Sequence, residues 1–386
     1  MKKKYIILSI ITLVLLIAFV TSFNYFKTSN TYVENNSNNQ TKITKGISMN
    51  LEKTAGAGDY KQVTQSSWPT EGYKFNAELS KCENGGEISW DDTKKAVIVS
   101  GNLSDKCYVY FDIYQLTLAE YIKSQYTGTQ GENNIYYHDS SLANGAGDNS
   151  YRYAGASDSV NNYICLGSDA TTCPDANLFR IIGVFGNQTK VIRAKSVGYQ
   201  QWHTSSTPNT WSSSSLNTYL NGTYLTSLGT IAEKIATTTW KVGGGSGSNI
   251  SASVPKTAYQ NEVGSSASST TYGAKIGLMY VSDYYYSASP SAWTLVGYNS
   301  SDATKDYRAA KTINWLSLGS YEWTISRNSE FTNGAFLVAG AGVSGAGYVS
   351  YSNVLSSNGV RPSFNLESSV KYVSGSGSMS DPVRIK

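Results

Sequence analysis

Two histidines are the only side chains of this chain that could act as a general base of the usual kind near neutral pH. His138, which is followed by Asp139, and His203 both lie in polar sequence that is typical of loops. Serine is abundant, but no Gly-x-Ser-x-Gly motif provides the strained turn on which many hydrolases place a nucleophile. We therefore expect solvated histidines and no catalytic residues. An envelope hydrolase that combines His203 with carboxylates is the alternative.

Two adjacent carboxylates, Asp91 and Asp92, offer oxygen ligands that would suit calcium. The ligand spacing of an EF-hand loop does not follow them, so a turn before a strand is the better interpretation. The sequence thus predicts no metal site and no other cofactor.

The four cysteines form two close pairs along the sequence, Cys82 with Cys107 and Cys165 with Cys173. An even number of cysteines in an exported chain favours disulfides, and four cysteines allow three pairings. We expect the sequential pairing, because each pair then closes one local loop. Free thiols and a metal site are the alternatives, but no Cys-x-x-Cys motif or nearby histidine supports a metal.

The N-terminus places three lysines, Lys2, Lys3 and Lys4, before the uncharged and mostly apolar residues 5–26. At a rise of about 1.5 Å per residue, a helix of this length would cross a hydrocarbon core of roughly 30 Å. The lysines favour a cytoplasmic N-terminus and an extracellular remainder. We predict that residues 1–26 are an uncleaved, single-pass signal anchor in the cell membrane; cleavage near Ser22, which would give a secreted protein, is the alternative.

The net charge gives no indication of a polyanionic partner. The chain has 31 basic and 27 acidic residues, and without the three N-terminal lysines the balance is 28 to 27. A near-neutral exported part is a poor ligand for nucleic acid, so we predict no nucleic-acid binding.

The remaining chain divides into segments of different composition. Residues 27–46 are polar and predict a flexible tether, whereas residues 47–114 predict a small β-sandwich-like domain that contains the first disulfide. Within it, residues 107–114 alternate between apolar side chains and tyrosine or aspartate, which indicates a half-buried strand.

A helix is expected to begin at Thr117, because Thr117 and Glu120 have the spacing of a capping box. Residues 115–177 are otherwise loop-like and predict a connector that holds the second disulfide. Residues 178–386 alternate strand-like and helix-like patterns and predict an α+β domain, so the whole exported part is expected to be α+β and rich in β-structure.

Several short motifs occur in a fixed order along this last domain. They are LFRIIG from residue 178, WSSSSLNTYLN from residue 211, IGLMYVSDY from residue 276, NWL from residue 314, GVRPSF from residue 359 and GSGSMSDPV from residue 375. In this order they resemble a bacterial surface-domain family related to the C-type-lectin-like fold, which formylglycine-generating enzymes share. The upstream sequences ISMNLEKTAGAGDY and CYVYFD look like the companion domain of exported proteins from low-GC Gram-positive bacteria.

The resemblance implies a C-type-lectin-like α+β scaffold with loops that present varied side chains. It does not imply the activities of the best-known members. The Glu-Pro-Asn, Gln-Pro-Asp and Trp-Asn-Asp triplets through which calcium-dependent lectins bind sugars are absent from the sequence. No cysteine follows Cys173, so the reactive cysteines of formylglycine-generating enzymes are also missing.

Aromatic residues provide the remaining candidates for a site. Tyr and Trp offer large and rigid contact areas, and five of them are predicted to contact a ligand if they are exposed together. These are Tyr284, Tyr285, Tyr286, Trp293 and Tyr321. The alternative is a core position, which suits the tryptophans better and the tyrosines equally well. Trp315, Arg361 and Pro362 are predicted to be structural, with Arg361 in an ion pair or bound to carbonyl groups.

From these features we expect a membrane-anchored surface protein of the adhesion type, which binds an extracellular protein or glycan without catalysis. An envelope hydrolase should instead show a deep pocket that combines His203 with carboxylates. A structural spacer or assembly subunit is the third alternative.

Overall fold

The computed structural model describes residues 46–64, 67–69, 72–101, 105–342 and 345–386. The predicted anchor, residues 1–26, and nearly all of the predicted tether lie outside these ranges. Within them, no helix has the length and apolar character needed to cross a membrane. The chain forms two compact units, one ending at Gln115 and the other comprising Leu116–Lys386.

The described residues of the small unit form six strands. They are β1 (Ile47–Glu52), β2 (Tyr60–Val63), β3 (Tyr73–Cys82), β4 (Glu87–Asp91), β5 (Ala96–Ser100) and β6 (Cys107–Ile113). Four of them form a sheet in the order β2-β1-β6-β3, and β4 pairs with β5 as a hairpin. The predicted alternation in β6 is confirmed, because Cys107, Val109 and Phe111 are buried and the residues between them are half-exposed.

Both predicted disulfides are present in the sequential pairing. Cys82 is bonded to Cys107, which lies directly opposite it where β3 pairs with β6. Cys165 is bonded to Cys173 eight residues later. The first bond therefore ties two neighbouring strands together, and the second closes a short surface loop.

Within residues 116–342 and 345–386, the large unit forms the other strands and four α-helices. The strands are β7 (Ile135–Tyr137), β8 (Tyr151–Tyr153), β9 (Tyr163–Cys165), β10 (Leu178–Phe185), β11 (Gln188–Arg193), β12 (Tyr199–Gln201), β13 (Thr238–Lys241), β14 (Thr271–Ala274), β15 (Ile276–Gly277), β16 (Glu322–Arg327), β17 (Gly334–Val338), β18 (Val349–Asn353), β19 (Ser357–Gly359), β20 (Ser363–Leu366), β21 (Tyr372–Ser374) and β22 (Arg384–Ile385). The helices are α1 (Leu118–Ser124), α2 (Ser215–Tyr219), which continues as a π-helical turn and a short α-turn to Ser227, α3 (Pro255–Glu262) and α4 (Val281–Tyr286).

Two larger sheets organise this unit. One has the order β15-β20-β11-β10-β8-β7, with β9 also paired to β10, and the other has the order β12-β19-β16-β17-β18. Strands β7, β8 and β9 come from residues that the sequence analysis assigns to a connector. Because they pair within the sheet that also contains β10 and β11, that segment is part of the large unit.

Helix α1 begins as predicted. The Thr117 side chain accepts a hydrogen bond from the backbone N–H of Glu120, and the Glu120 carboxylate accepts one from the backbone N–H of Thr117. The reciprocal pair satisfies two of the N–H groups that a helix start leaves without partners.

A buried ion pair links the second sheet to the C-terminal part of the chain. Arg361 Nε lies 2.8 Å from Glu322 Oε1, and both side chains are almost fully buried. Arg361 also donates a hydrogen bond to the carbonyl of Leu316 at 2.5 Å. Burial raises the pKa of Glu322, and the Arg361 guanidinium opposes that rise. Arg361 thus makes both of the contacts that its sequence position suggested.

The neighbouring motif residues are also buried. Trp315 donates its indole N–H to the carbonyl of Tyr153 at 2.8 Å, and the carbonyl of Pro362 accepts a hydrogen bond from the backbone N–H of Arg193. These contacts connect segments that are far apart in sequence.

The Glu322→Gln variant should be strongly destabilised. It leaves the Arg361 charge buried without a carboxylate, which typically costs about 3–5 kcal/mol. The matched control is Asp175→Asn, which breaks an exposed pair of similar geometry, Lys195 Nζ to Asp175 Oδ2 at 2.6 Å. Such exposed pairs contribute less than about 1 kcal/mol. Urea unfolding measures both, and equal losses would contradict the structural role of Glu322.

Candidate functional site

A cavity of about 160 Å³ lies in the large unit between the seven-stranded sheet, α3, α4 and the hairpin β13–β14. Four charged side chains, Asp148, Arg152, Lys190 and Asp283, interact with one another in its lining, and a fifth, Lys241, also borders it. Four aromatic side chains form much of its wall, namely Phe185, Trp240, Tyr259 and Tyr280. Thr238, Thr239, Lys241, Val263, Ser282 and Asn365 complete the lining.

The four charges form an alternating chain of ion pairs. Arg152 Nη2 lies 2.6 Å from Asp148 Oδ2, and Arg152 Nη1 lies 3.9 Å from Asp283 Oδ1. Lys190 Nζ lies 2.6 Å from the other oxygen of Asp283. Arg152, Lys190 and Asp283 are all buried, so the pairing offsets much of the free energy lost on removing these charges from water.

Regular elements hold three of these side chains. Arg152 lies on β8 and Lys190 on β11, whose backbone pairs with β10 on one side and β20 on the other. Asp283 lies in the first turn of α4, where its Oδ2 accepts a hydrogen bond from the backbone N–H of Tyr280 at 2.8 Å. The site is therefore fixed before any ligand enters.

Asp148 lies in the loop before β8 and is fixed by Ser150. The Ser150 hydroxyl donates to Asp148 Oδ1 at 2.5 Å, and the same hydroxyl accepts a hydrogen bond from Arg152 Nε at 2.7 Å. Burial acts to raise the pKa of Asp148, but Arg152 and Ser150 together hold it well below its usual range.

Aromatic rings surround both cations. Lys190 Nζ lies 4.5 Å from the ring centre of Tyr280 and 5.2 Å from that of Trp240. Arg152 Cζ lies 4.7 Å from the ring centre of Phe185 and 5.3 Å from that of Tyr259. These distances are typical of cation–π contacts. Burial lowers the pKa of Lys190 even though Asp283 favours the charged form.

This arrangement suits recognition rather than a familiar hydrolytic reaction. It places hydrogen-bond donors and acceptors side by side beneath aromatic walls, which are the groups that bind polar ring compounds. No histidine or cysteine is among its lining residues. The hydrolase alternative predicted a pocket that combines His203 with carboxylates. His203 is not among the residues that line this cavity.

The small unit has a larger but more open groove of about 550 Å³. Tyr73, Phe75 and Trp90 line it with half-exposed rings, and its charged residues Lys74, Asp92 and Lys95 are exposed at the rim. Because the charges of this groove lie at its exposed rim, it ranks second to the cavity of the large unit as a candidate site.

Four of the five predicted ligand-contact residues do not form an exposed surface. Tyr284, Tyr285, Tyr286 and Trp293 are all buried. Their polar ends donate to the carbonyl groups of Gly347, Ile250, Asn144 and Ala288, respectively. Helix α4 is surrounded on all sides, so its consecutive tyrosines are core residues with satisfied hydroxyls, and the prediction is wrong for these four. Tyr321 is 38% exposed.

The two histidines lie outside the cavity lining. His138 is fully buried rather than solvated, which corrects the sequence prediction. Its Nδ1 accepts a hydrogen bond from the backbone N–H of Ala146 at 3.1 Å, and its ring packs against Tyr286 and Trp293. His203 is half-buried and uses Nδ1 to accept backbone N–H groups.

The predicted turn at Asp91 is confirmed. Asp91 ends β4, and its Oδ1 accepts hydrogen bonds from the backbone N–H groups of Thr93 and Lys94, both at 2.9 Å. The carboxylate thus stabilises the turn that leads to β5.

Sequence reasoning missed the charged cavity, although a signal for it exists. Lys190 is followed by two β-branched apolar residues, and Asp283 lies within the apolar motif IGLMYVSDY. Lysine and aspartate are seldom fully buried unless they are paired. Only Asp283 is a lone charge within an apolar segment, because Lys190 follows the polar residues 186–189, so the sequence indicates a buried charge at Asp283 but not its partner.

The comparison with known families concerns this same region. Residues 186–368 match a family described as Domain of unknown function (DUF6273). No curated protein and no solved structure matches the chain. The matched segment contains Lys190 and Asp283, whereas Asp148 and Arg152 precede it.

Acidification should destabilise the protein through His138. Burial lowers the pKa of His138 well below its usual value of about 6.5, so the unfolded chain binds a proton more readily than the folded one. The stability contributed by neutral His138 is complete above pH ~6.5 and falls as the pH decreases below it. Urea unfolding between pH 7 and pH 5 measures this slope.

The His138→Asn variant should show a smaller slope, because Asn can accept the Ala146 N–H without titrating. Buried carboxyl groups such as Glu322 also affect the pH dependence, but they are common to both proteins and cancel in the comparison. His203→Asn, which removes only the other histidine, should keep the contribution of His138. Identical slopes for wild type and His138→Asn would contradict this account.

Proposed function

We propose that this chain is a single-pass membrane protein of the cell surface that binds an extracellular partner without chemically changing it. The cavity of the large unit is the ligand site in this proposal. The observation that carries it is the combination of an alternating, preformed set of charged groups with aromatic walls in one small cavity. The predicted membrane anchor and tether supply the location.

Of the two kinds of partner expected, a protein or a glycan, the cavity favours a glycan. Four of its five charged side chains pair with one another and the fifth, Lys241, is only half-buried, so an uncharged ligand leaves no fully buried charge without a partner. Vicinal hydroxyl groups both donate and accept hydrogen bonds, which matches neighbouring carboxylate and cationic groups. A cavity of about 160 Å³ is suited to a single six-membered ring, since one of roughly 150 Å³ holds benzene.

The C-type-lectin-like fold relationship belongs to the same proposal. It would explain how a fixed scaffold presents a ligand site near loops, as the order of the sequence motifs suggests. The proposed site needs no calcium, which agrees with the missing lectin triplets in the sequence.

Filling the cavity should abolish glycan binding. Thr239 is exposed and lines the cavity, so Thr239→Trp would occupy the space that a sugar ring needs. Thr271→Trp is the matched control, because Thr271 is an exposed threonine on the paired strand β14 and does not line the cavity. The readout is binding of the full chain to arrays of glycans and surface proteins, followed by titration of each hit.

We expect the wild type and Thr271→Trp to bind the same glycan and Thr239→Trp to bind it at least tenfold more weakly. Equal binding by both tryptophan variants would remove the cavity from the proposal. Hits restricted to proteins would overturn the preference for a glycan, and conversion of a bound glycan into a new product would overturn the non-catalytic function.

A further inference from the structure

The ion pair of Lys190 and Asp283 also has the geometry of two groups that can react with each other. Their side chains are 6% and 3% exposed, and Nζ lies 2.6 Å from a carboxylate oxygen. One residue is fixed on a central strand and the other in a capped helical turn. Holding two groups together in this way replaces a bimolecular encounter with an effectively unimolecular step.

The surroundings favour the neutral form of Lys190. Burial lowers the pKa of Lys190, because an ammonium group is poorly solvated among the rings of Trp240 and Tyr280. Arg152 lies nearer to Asp148 than to Asp283, at 2.6 Å against 3.9 Å. Transfer of one proton from Lys190 to Asp283 converts two buried charges into an amine and a carboxylic acid.

We infer that Lys190 and Asp283 become joined by an intramolecular amide bond in the folded protein. In this step the amine nitrogen attacks the carboxyl carbon of Asp283 and forms the C–N bond. The C–O bond to the protonated oxygen then breaks, and that hydroxyl leaves with a second proton from the nitrogen as one water molecule. The condensation needs no oxidant, reductant or cofactor.

A third carboxyl group, that of Glu262, is buried beside the helical turn that holds Asp283. Glu262 is buried, and its charge acts on Lys190. Burial raises the pKa of Glu262, although it accepts hydrogen bonds from the backbone N–H groups of Val281 and Ser282. A buried carboxyl group with a raised pKa can both take up and return a proton during the reaction.

The bond would tie β11 of the seven-stranded sheet covalently to α4. It does not rest on glycan binding, and it replaces two of the four paired charges with an amide that retains one N–H donor and one C=O acceptor in the cavity floor. Asp148, Arg152 and the aromatic walls are unchanged.

Peptide mapping of the full chain after reduction and tryptic digestion tests the inference directly. The cross-link prevents cleavage after Lys190, so we expect one branched peptide of residues 181–193 joined to residues 276–305. Its mass should be one water molecule below the sum of the two separate peptides. Fragmentation should place the junction at Lys190 and Asp283.

Lys190→Arg should yield no branched peptide, and Lys241→Arg, which changes a lysine at the rim of the same cavity, should yield it as the wild type does. The wild-type digest decides the matter even if a variant fails to fold. Recovery of unmodified peptides 181–190 and 276–305 from wild-type protein with both disulfides intact would overturn the inference. That result would leave the glycan proposal untouched, just as a lack of glycan binding would leave the cross-link untouched.

Discussion

Charge can be buried in the large unit only where a fixed partner meets it, and this constraint determines much of the architecture. Arg152, Arg180 and Lys190 lie on three neighbouring strands of one sheet. Arg180 donates to Asn162 and to the carbonyl of Val160, whereas the other two meet carboxylates from a loop and a helix. Each pairing fixes the position of a segment that the sheet alone would not specify, because an unpaired buried charge is so costly.

Aromatic residues have two roles in this protein, and in both of them a buried polar or charged group has a partner. The tyrosines of α4 face inward because their hydroxyls reach backbone carbonyls, so burial leaves no polar atom without a partner. The rings around Lys190 and Arg152 instead face cations and border a cavity. The run of aromatic residues in α4 therefore belongs to the core. The aromatic residues that border the cavity lie in several separate segments.

Local features of the fold were predictable from the sequence, and the long-range ones were not. Alternation in β6, the capping box at Thr117 and the loops closed by the disulfides depend on residues close together in the chain. The positions of β7 to β9 in the main sheet depend on pairing with distant strands, which local composition does not encode. His138 shows the same limit, because polar neighbours in sequence suggested solvent while Tyr286 and Trp293 cover it in space.

The bond between Cys82 and Cys107 has a consequence for the integrity of the small unit. Together with the intervening backbone it encloses the β4–β5 hairpin in a covalent ring. A single peptide-bond cleavage anywhere inside that ring opens it but releases no fragment, so β3 and β6 stay attached to one another. A protease that nicks the hairpin would therefore leave the polypeptide in one piece until a reductant reaches the sulfurs.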